Sequence, residues 1–200
     1  MTADSEDASW AFPTTIGSRV QLKPPEPNDY SWLYGLATSP ETGVRWRFRG
    51  TIPSPEQFVS LLWREVEVQF VLWGRADARR LGLVQLIRYA NKDGHAGVSF
   101  ILDPTAQKSG WAIEGMILFI NYVFTTMPIR KLYFESLEFS VNDYSSAIGA
   151  FLQDEGTLRE HEYFNEKFLD LHISALYRKT WLENRRYFAT MLDGLPDSAD

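Results

Sequence analysis

Phe100-Ile-Leu-Asp-Pro-Thr-Ala-Gln-Lys-Ser-Gly-Trp-Ala112 is the stretch on which the fold of this sequence turns. An apolar run closes at Asp103-Pro104, because Pro cannot donate to a β-ladder. A short polar loop follows, and a helix starts near Gly110. The loop carries the pattern Gln107-x-x-Gly110-x-Ala112. A helix N-terminus has unpaired backbone N–H groups and partial positive charge, so it holds phosphate well. Gly110 and Ala112 are small enough to let a phosphate oxygen approach the backbone, and Lys108 and Ser109 add a charge and a donor.

Working upstream, Ala96 to Leu102 reads as a strand fed by the hairpin turn Asn91-Lys-Asp-Gly94. Leu81 to Arg88 and Gln69 to Trp73 read as the strands before it. Ser54, Pro55 and Gln57 form a capping box that opens a helix to about Glu65. Arg19 to Lys23 alternates as a short strand, and Asn28 is expected to cap a helix through Leu36. Downstream, a helix spans about Gly110 to Thr125 and a strand Lys131 to Phe139. Asp143 or Ser145 caps a short helix to about Leu152. Thr157 to Phe164 and Phe168 to Arg178 form a closing hairpin around Asn165-Glu-Lys167, and a helix from Trp181 to Leu192 ends the chain. This order predicts an α/β protein with a mixed sheet and helices on both faces.

The expected organisation is one domain over residues 13–193, an acidic disordered arm at 1–12 and a flexible tail at 194–200. The chain has no Cys, which excludes disulfides, thiolate nucleophiles and thiolate metal sites. Its three His show no metal-ligand spacing, so no metal is expected. The net charge of −6 disfavours nucleic acid as the main partner. The most apolar stretch, Met116 to Met127, contains Asn121 and is too short to span a membrane. The N-terminus is acidic and lacks an apolar run, unlike a signal peptide, so the expectation is a cytoplasmic protein without membrane partners.

From about Ser18 to Trp181 the chain resembles the GNAT N-acyltransferases, in particular the RimJ/RimL-like branch. Gln107, Gly110 and Ala112 match the family's pyrophosphate motif, and Leu102-Asp-Pro104 its lead-in. Leu81-Gly-Leu-Val-Gln-Leu86 is similar to the family's third strand, and Asp154 to His161 with Asp170 to Trp181 to the branch's closing hairpin. The resemblance implies a GNAT fold, with a central, mostly antiparallel sheet splayed between strands 4 and 5. It implies acetyl-CoA, or another acyl-CoA, as donor substrate, with pantetheine along Phe100, Ile101 and Leu102. The pyrophosphate would then rest on Gln107, Lys108, Ser109, Gly110, Trp111 and Ala112. An acyl carrier protein or an aminoacyl-tRNA as donor, or a non-catalytic acyl-CoA sensor, are the alternatives.

The implied reaction is direct acyl transfer to an amine, which at pKa ~10 is mostly charged at neutral pH and must lose a proton. Asn142 and Ser145 resemble the family's pair near the leaving thiol; Ser146 with Ser140 is the alternative register. The family's Tyr is absent, with Gly149 in its place. For the base, Ala96 to Leu102 offers no carboxylate; Glu135 and Glu138 acting through water, or His161 in the closing hairpin, are the candidates. Arg45-Trp-Arg-Phe-Arg-Gly50 lies where this fold builds the acceptor side. Alternation puts Arg45, Arg47 and Arg49 on one side and Trp46 and Phe48 on the other, which favours an acceptor with an anionic group. The partner is thus a small-molecule amine or a protein N-terminus, with a homodimer possible.

Overall fold

In the computed structural model, residues 15–106, 110–137 and 149–192 are described. The sheet has seven strands: β1 (Val20–Lys23), β2 (Val66–Gly74), β3 (Arg80–Ala90), β4 (His95–Leu102), β5 (Lys131–Leu137), β6 (Gln153–Phe164) and β7 (Lys167–Tyr177). Their order is β1-β2-β3-β4-β5-β7-β6. Only the β4–β5 pair is parallel. It needs a crossover connection, and α3 (Trp111–Thr126) supplies it.

Strand alternation divides the core in two. Leu72, Val84, Leu86 and Val98 face α3 and the C-terminal helices α4 (Arg178–Glu183) and α5 (Arg185–Leu192). Val71, Leu83 and Ile101 face α1 (Tyr30–Thr38) and α2 (Pro55–Trp63). The predicted mixed sheet with helices on both faces is the observed one.

The Ser54 capping box is present: Ser54 Oγ accepts from Gln57 N at 3.3 Å, and the Gln57 side chain accepts from Ser54 N at 3.4 Å. Three local expectations need correction. Asn28 does not cap α1. It sits inside a 3-10 turn, Pro27–Asp29, where Asp29 reaches back to the backbone N–H of Glu26 at 2.8 Å. α2 stops at Trp63: Arg64 is extended, with φ −66° and ψ 126°, and Glu65 then takes a left-handed φ of 57°. The final helix is broken at Asn184, whose side chain donates to Thr180 O at 2.8 Å, and its first part starts at Arg178. The helix expected from Asp143 or Ser145 falls largely outside the described residues; Gly149–Phe151 forms a 3-10 turn. The arm at 1–12 and the tail at 194–200 also lie outside them.

Candidate active site

The β4–β5 ladder is short. His95 to Val98 pair with Lys131 to Phe134, and the register ends there although both strands continue. Beyond that point a cleft of about 900 Å³ opens, lined on one side by Ser99 to Leu102 and on the other by Glu135 to Leu137. Asp103 N donates to Leu81 O at 2.9 Å, which fixes the alternation along β4. Backbone groups of Ile101 and Ser99 therefore turn to β3, and those of Leu102 and Phe100 turn toward the cleft side. This is the edge along which an extended ligand can add hydrogen bonds as a missing strand would.

One end of β4 runs through a 3-10 turn, Pro104–Ala106, toward α3. Gly110 is the N-cap, with φ −60° and ψ −4°, so its backbone does not require glycine. Its value is space: among the described residues, only the two terminal nitrogens of Arg19 lie within 4 Å of a Cβ built there, each at 3.7 Å. Arg19 is held by Glu114, with Nε to Oε2 at 2.9 Å. Glu114 is buried in the first turn of α3 and accepts also from Arg19 N at 2.8 Å and Val20 N at 3.2 Å. A carboxylate there is favoured by the helix dipole, and its bonds compensate its desolvation. Two further cations converge on this corner. Arg75 Nη1 donates to Gly17 O at 2.6 Å, and the Arg79 guanidinium lies 5.6 Å from the Trp111 ring centre, with Asp77 3.6 Å from Arg79 Nε. Sequence reading missed Arg19 and Glu114. The available signal was a lone carboxylate in an otherwise apolar helix. Gln107, Lys108 and Ser109 lie outside the described residues; Trp111 and Ala112 are half-buried in the first turn.

The Arg45–Gly50 segment forms another wall of the cleft. Its rings do turn inward: Trp46 is 1% exposed and stands 4.7 Å from Phe48, which in turn meets Phe58. Trp46 is therefore core under the cleft as much as a wall. Arg47 is spent on α2. It donates to Arg64 O at 3.0 Å, to Leu62 O at 3.4 Å and to Leu61 O, so it caps the carbonyls that end the helix. Burial lowers its pKa to about 10, which still leaves it charged at neutral pH. Arg49 faces Glu162 of β6 at 3.9 Å, and Arg45 is exposed. Within the cleft, Arg88 of β3 pairs with Glu135 of β5.

His161 is exposed on β6 and is not among the residues that line this cleft. His172 meets Thr157 at 3.0 Å, and His95 packs against Tyr133. Asn142, Ser145 and Ser146 lie outside the described residues, as do Ser140 and Glu138. Among the described residues there is no His, Cys, Asp and Glu grouping that could hold a metal ion, and no helix long and apolar enough to cross a membrane.

A family model described as an acetyltransferase (GNAT) domain matches residues 19–142, well over half the chain and including both sides of the cleft. The chain belongs to the GNAT acetyltransferase family. Its fold agrees with solved members of that fold. A spermidine N-acetyltransferase from Vibrio cholerae, in complex with CoA and spermine, superposes with a TM-score of 0.71 at 21% identity, covering 82% of this chain and 98% of that one. A GCN5-related N-acetyltransferase from Brucella melitensis superposes with a TM-score of 0.72 at 19% identity, covering 93% and 87%. No curated protein sequence matches significantly.

Proposed function

We propose that this acetyltransferase moves an acetyl group from acetyl-CoA directly to the amino group of a small molecule. The observation that carries the reading is the end of the β4–β5 ladder at Val98 and Phe134, with α3 as the next helix after β4. The edge from Phe100 to Leu102 suits an amide-bearing arm such as pantetheine. The open space over Gly110, with the guanidinium of Arg19 beside it, suits a pyrophosphate. The lead-in to that turn and the long closing hairpin support placement in the RimJ/RimL-like branch.

On the acceptor side, Arg47 drops out of the binding set because α2 occupies it. Arg45 and Arg49 remain as the groups that would meet an acceptor, alongside the carboxylate of Glu162. A wall of mixed sign favours a small amine that also carries an anionic group over a bare polycation. Ser145 or Ser146, with Asn142, are retained as the groups for the departing thiol.

Gly110→Asp tests the donor assignment. The new side chain has room and an Arg19 partner, so the variant is expected to fold with an unchanged Tm. It places negative charge where phosphate would sit, and acetyl-CoA affinity measured by calorimetry should fall at least ~10-fold, about 1.4 kcal/mol. Equal affinity in the folded variant would remove the phosphate site from this corner. Thiol release from acetyl-CoA with spermidine, glucosamine and glycylglycine separates an enzyme from a sensor.

A further inference from the structure

Arg88 stands at an irregularity of the sheet. The β3–β4 register shifts between Ile87 and Ala90, and Arg88 itself has a φ of 51°. That region is rarely adopted by L side chains, and such strain persists where the surroundings force it, often at functional sites. A bulge re-aims the side chain it carries. Here the guanidinium is led across β4 at Gly97, where a Cβ would lie 3.1 Å from Arg88 Nη2 and 3.0 Å from Ile87 Cγ1. Past Gly97, Nη2 donates to Oε1 of Glu135 on β5. The pair is too solvated to explain the strain by stability, since the side chains are 47% and 26% exposed.

Glu135 is the first β5 residue beyond the last β4 pairing, Val98 with Phe134. Phe134 faces the α3 side of the core, so alternation turns Glu135 to the opposite face, the one Ile101 shares with α1 and α2. β4 brings no carboxylate to the cleft between Ser99 and Leu102. Of the other carboxylates in its lining among the described residues, Glu41 and Glu65 are exposed beyond the ends of α1 and α2, and Glu162 faces Arg49.

We propose that Glu135 is the catalytic carboxylate that receives the acceptor's ammonium and takes its proton, and that Arg88 is its positioning residue. This rests on the acetyl-transfer reading above. The ammonium gives one proton to the Glu135 carboxylate, and the freed lone pair attacks the thioester carbonyl carbon. The C–N bond forms, the C–S bond breaks, and a second nitrogen-bound proton passes to the departing thiolate. Glu135 then returns its proton to water. A carboxylate accepts from several donors at once, so it can hold Arg88 and the ammonium together. The other charged groups lining the cleft are Arg45 and Arg49 from the loop and Glu162 from β6. Glu41 beyond α1 and Arg64 and Glu65 beyond α2 also line it, and Arg47 stays bound to that helix.

The test uses the full chain, acetyl-CoA, and whichever of spermidine, glucosamine and glycylglycine wild type acetylates fastest. Glu135→Gln should lower kcat/KM about 100-fold at pH 7, with the deficit shrinking above about pH 9.5, where solution itself supplies free amine. Calorimetric affinity for acetyl-CoA should be unchanged, and affinity for the chosen amine at pH 7 should fall. Arg88→Ala should shift the pH profile in the same direction by less, and Arg88→Lys should recover part of it. A wild-type rate and profile in Glu135→Gln would overturn the assignment. An Arg88→Ala protein with a lower Tm and an unchanged profile would reduce Arg88 to a structural part and overturn its positioning role. No thiol release by wild type with any of the three amines would overturn the acetyl-transfer reading, and this inference with it.

Discussion

Strand β5 carries an ion pair at each end of its contact with β4, and the two are built differently. At the closed end Lys131 pairs with Glu155 at 2.7 Å, with the rings of Tyr133 and Tyr177 at 4.5 and 5.4 Å. Its side chain is 8% exposed, and its backbone is inside the parallel ladder. At the open end Arg88 and Glu135 meet in the cleft, more exposed and on strained backbone. The first arrangement is what a sheet needs to stay shut. The second spends backbone strain to place a charge where the strands part. The lesson is that the same strand can be locked at one end and poised at the other, and that only the second pair should matter to chemistry.

The largest expected effect breaks the closed end. Lys131→Met leaves the Glu155 carboxylate without its main partner and should cost about 2 kcal/mol, read as a shift in urea midpoint. Acetylation rates per folded molecule should change little. The pH dependence of this lock follows from its pKa shifts. Burial alone would lower the Lys131 pKa, but its hydrogen bonds to Glu155, Tyr133 and Tyr177 outweigh that and raise it. Hydrogen bonds from Lys131 and Tyr177 hold the Glu155 carboxyl below its usual value. A depressed carboxyl contributes stability that is present above its unfolded pKa, near ~4.3, and lost as pH falls through the folded one. The raised lysine contributes until pH rises beyond the usual lysine range of ~10.4. The pair's contribution should therefore be flat from about pH 5 to 9 and decline in acid, and Glu155→Gln should remove that acid limb from the Tm profile.

A smaller effect sharpens the donor corner. Arg19→Ala should weaken acetyl-CoA binding about 10-fold, with kcat little changed, because a phosphate contact is uniform binding remote from the reacting carbon. Removing Arg19 also leaves Glu114 unpaired at the helix start, where it repels the donor's phosphates and adds to the loss; Arg19→Ala combined with Glu114→Gln measures that share by calorimetry. Smallest are the acceptor arginines. Arg45→Ala and Arg49→Ala should each raise the acceptor KM about 3-fold while leaving the acetyl-CoA KM alone. A rise confined to acetyl-CoA would move the loop to the donor phosphates.

The layered fold was legible in the sequence because its signals are local. The Ser54-Pro55-Gln57 box, the Asn91–Gly94 turn and Asp103-Pro104 each act within a few residues. The cleft was legible only through the family resemblance, since where the ladder stops depends on how β5 registers against β4. The polar partners were not legible at all. Arg88 and Glu135 are 47 residues apart, and Arg19 and Glu114 are 95 apart. Arg47 looked like a ligand because alternation places it outward, but alternation says nothing about a helix end that arrives 14 residues later with open carbonyls. Asn28 reads as a cap from its side chain, but the chain tightens there into a 3-10 turn in which Asp29 bonds back to the Glu26 backbone and reaches Arg80 at 2.7 Å, and neither side chain caps α1.

The contrast between the two ends of the seam is tested most directly by amide hydrogen exchange of the wild-type chain with and without saturating acetyl-CoA. Binding in the open end should slow exchange over Phe100 to Leu102 and over the first turn of α3, from Trp111 to Glu114. Lys131 to Phe134, already locked in the ladder, should exchange at the same slow rate in both states. Protection confined to other segments, or spread evenly along β4 and β5, would contradict the assignment of the open half of this seam as the active site.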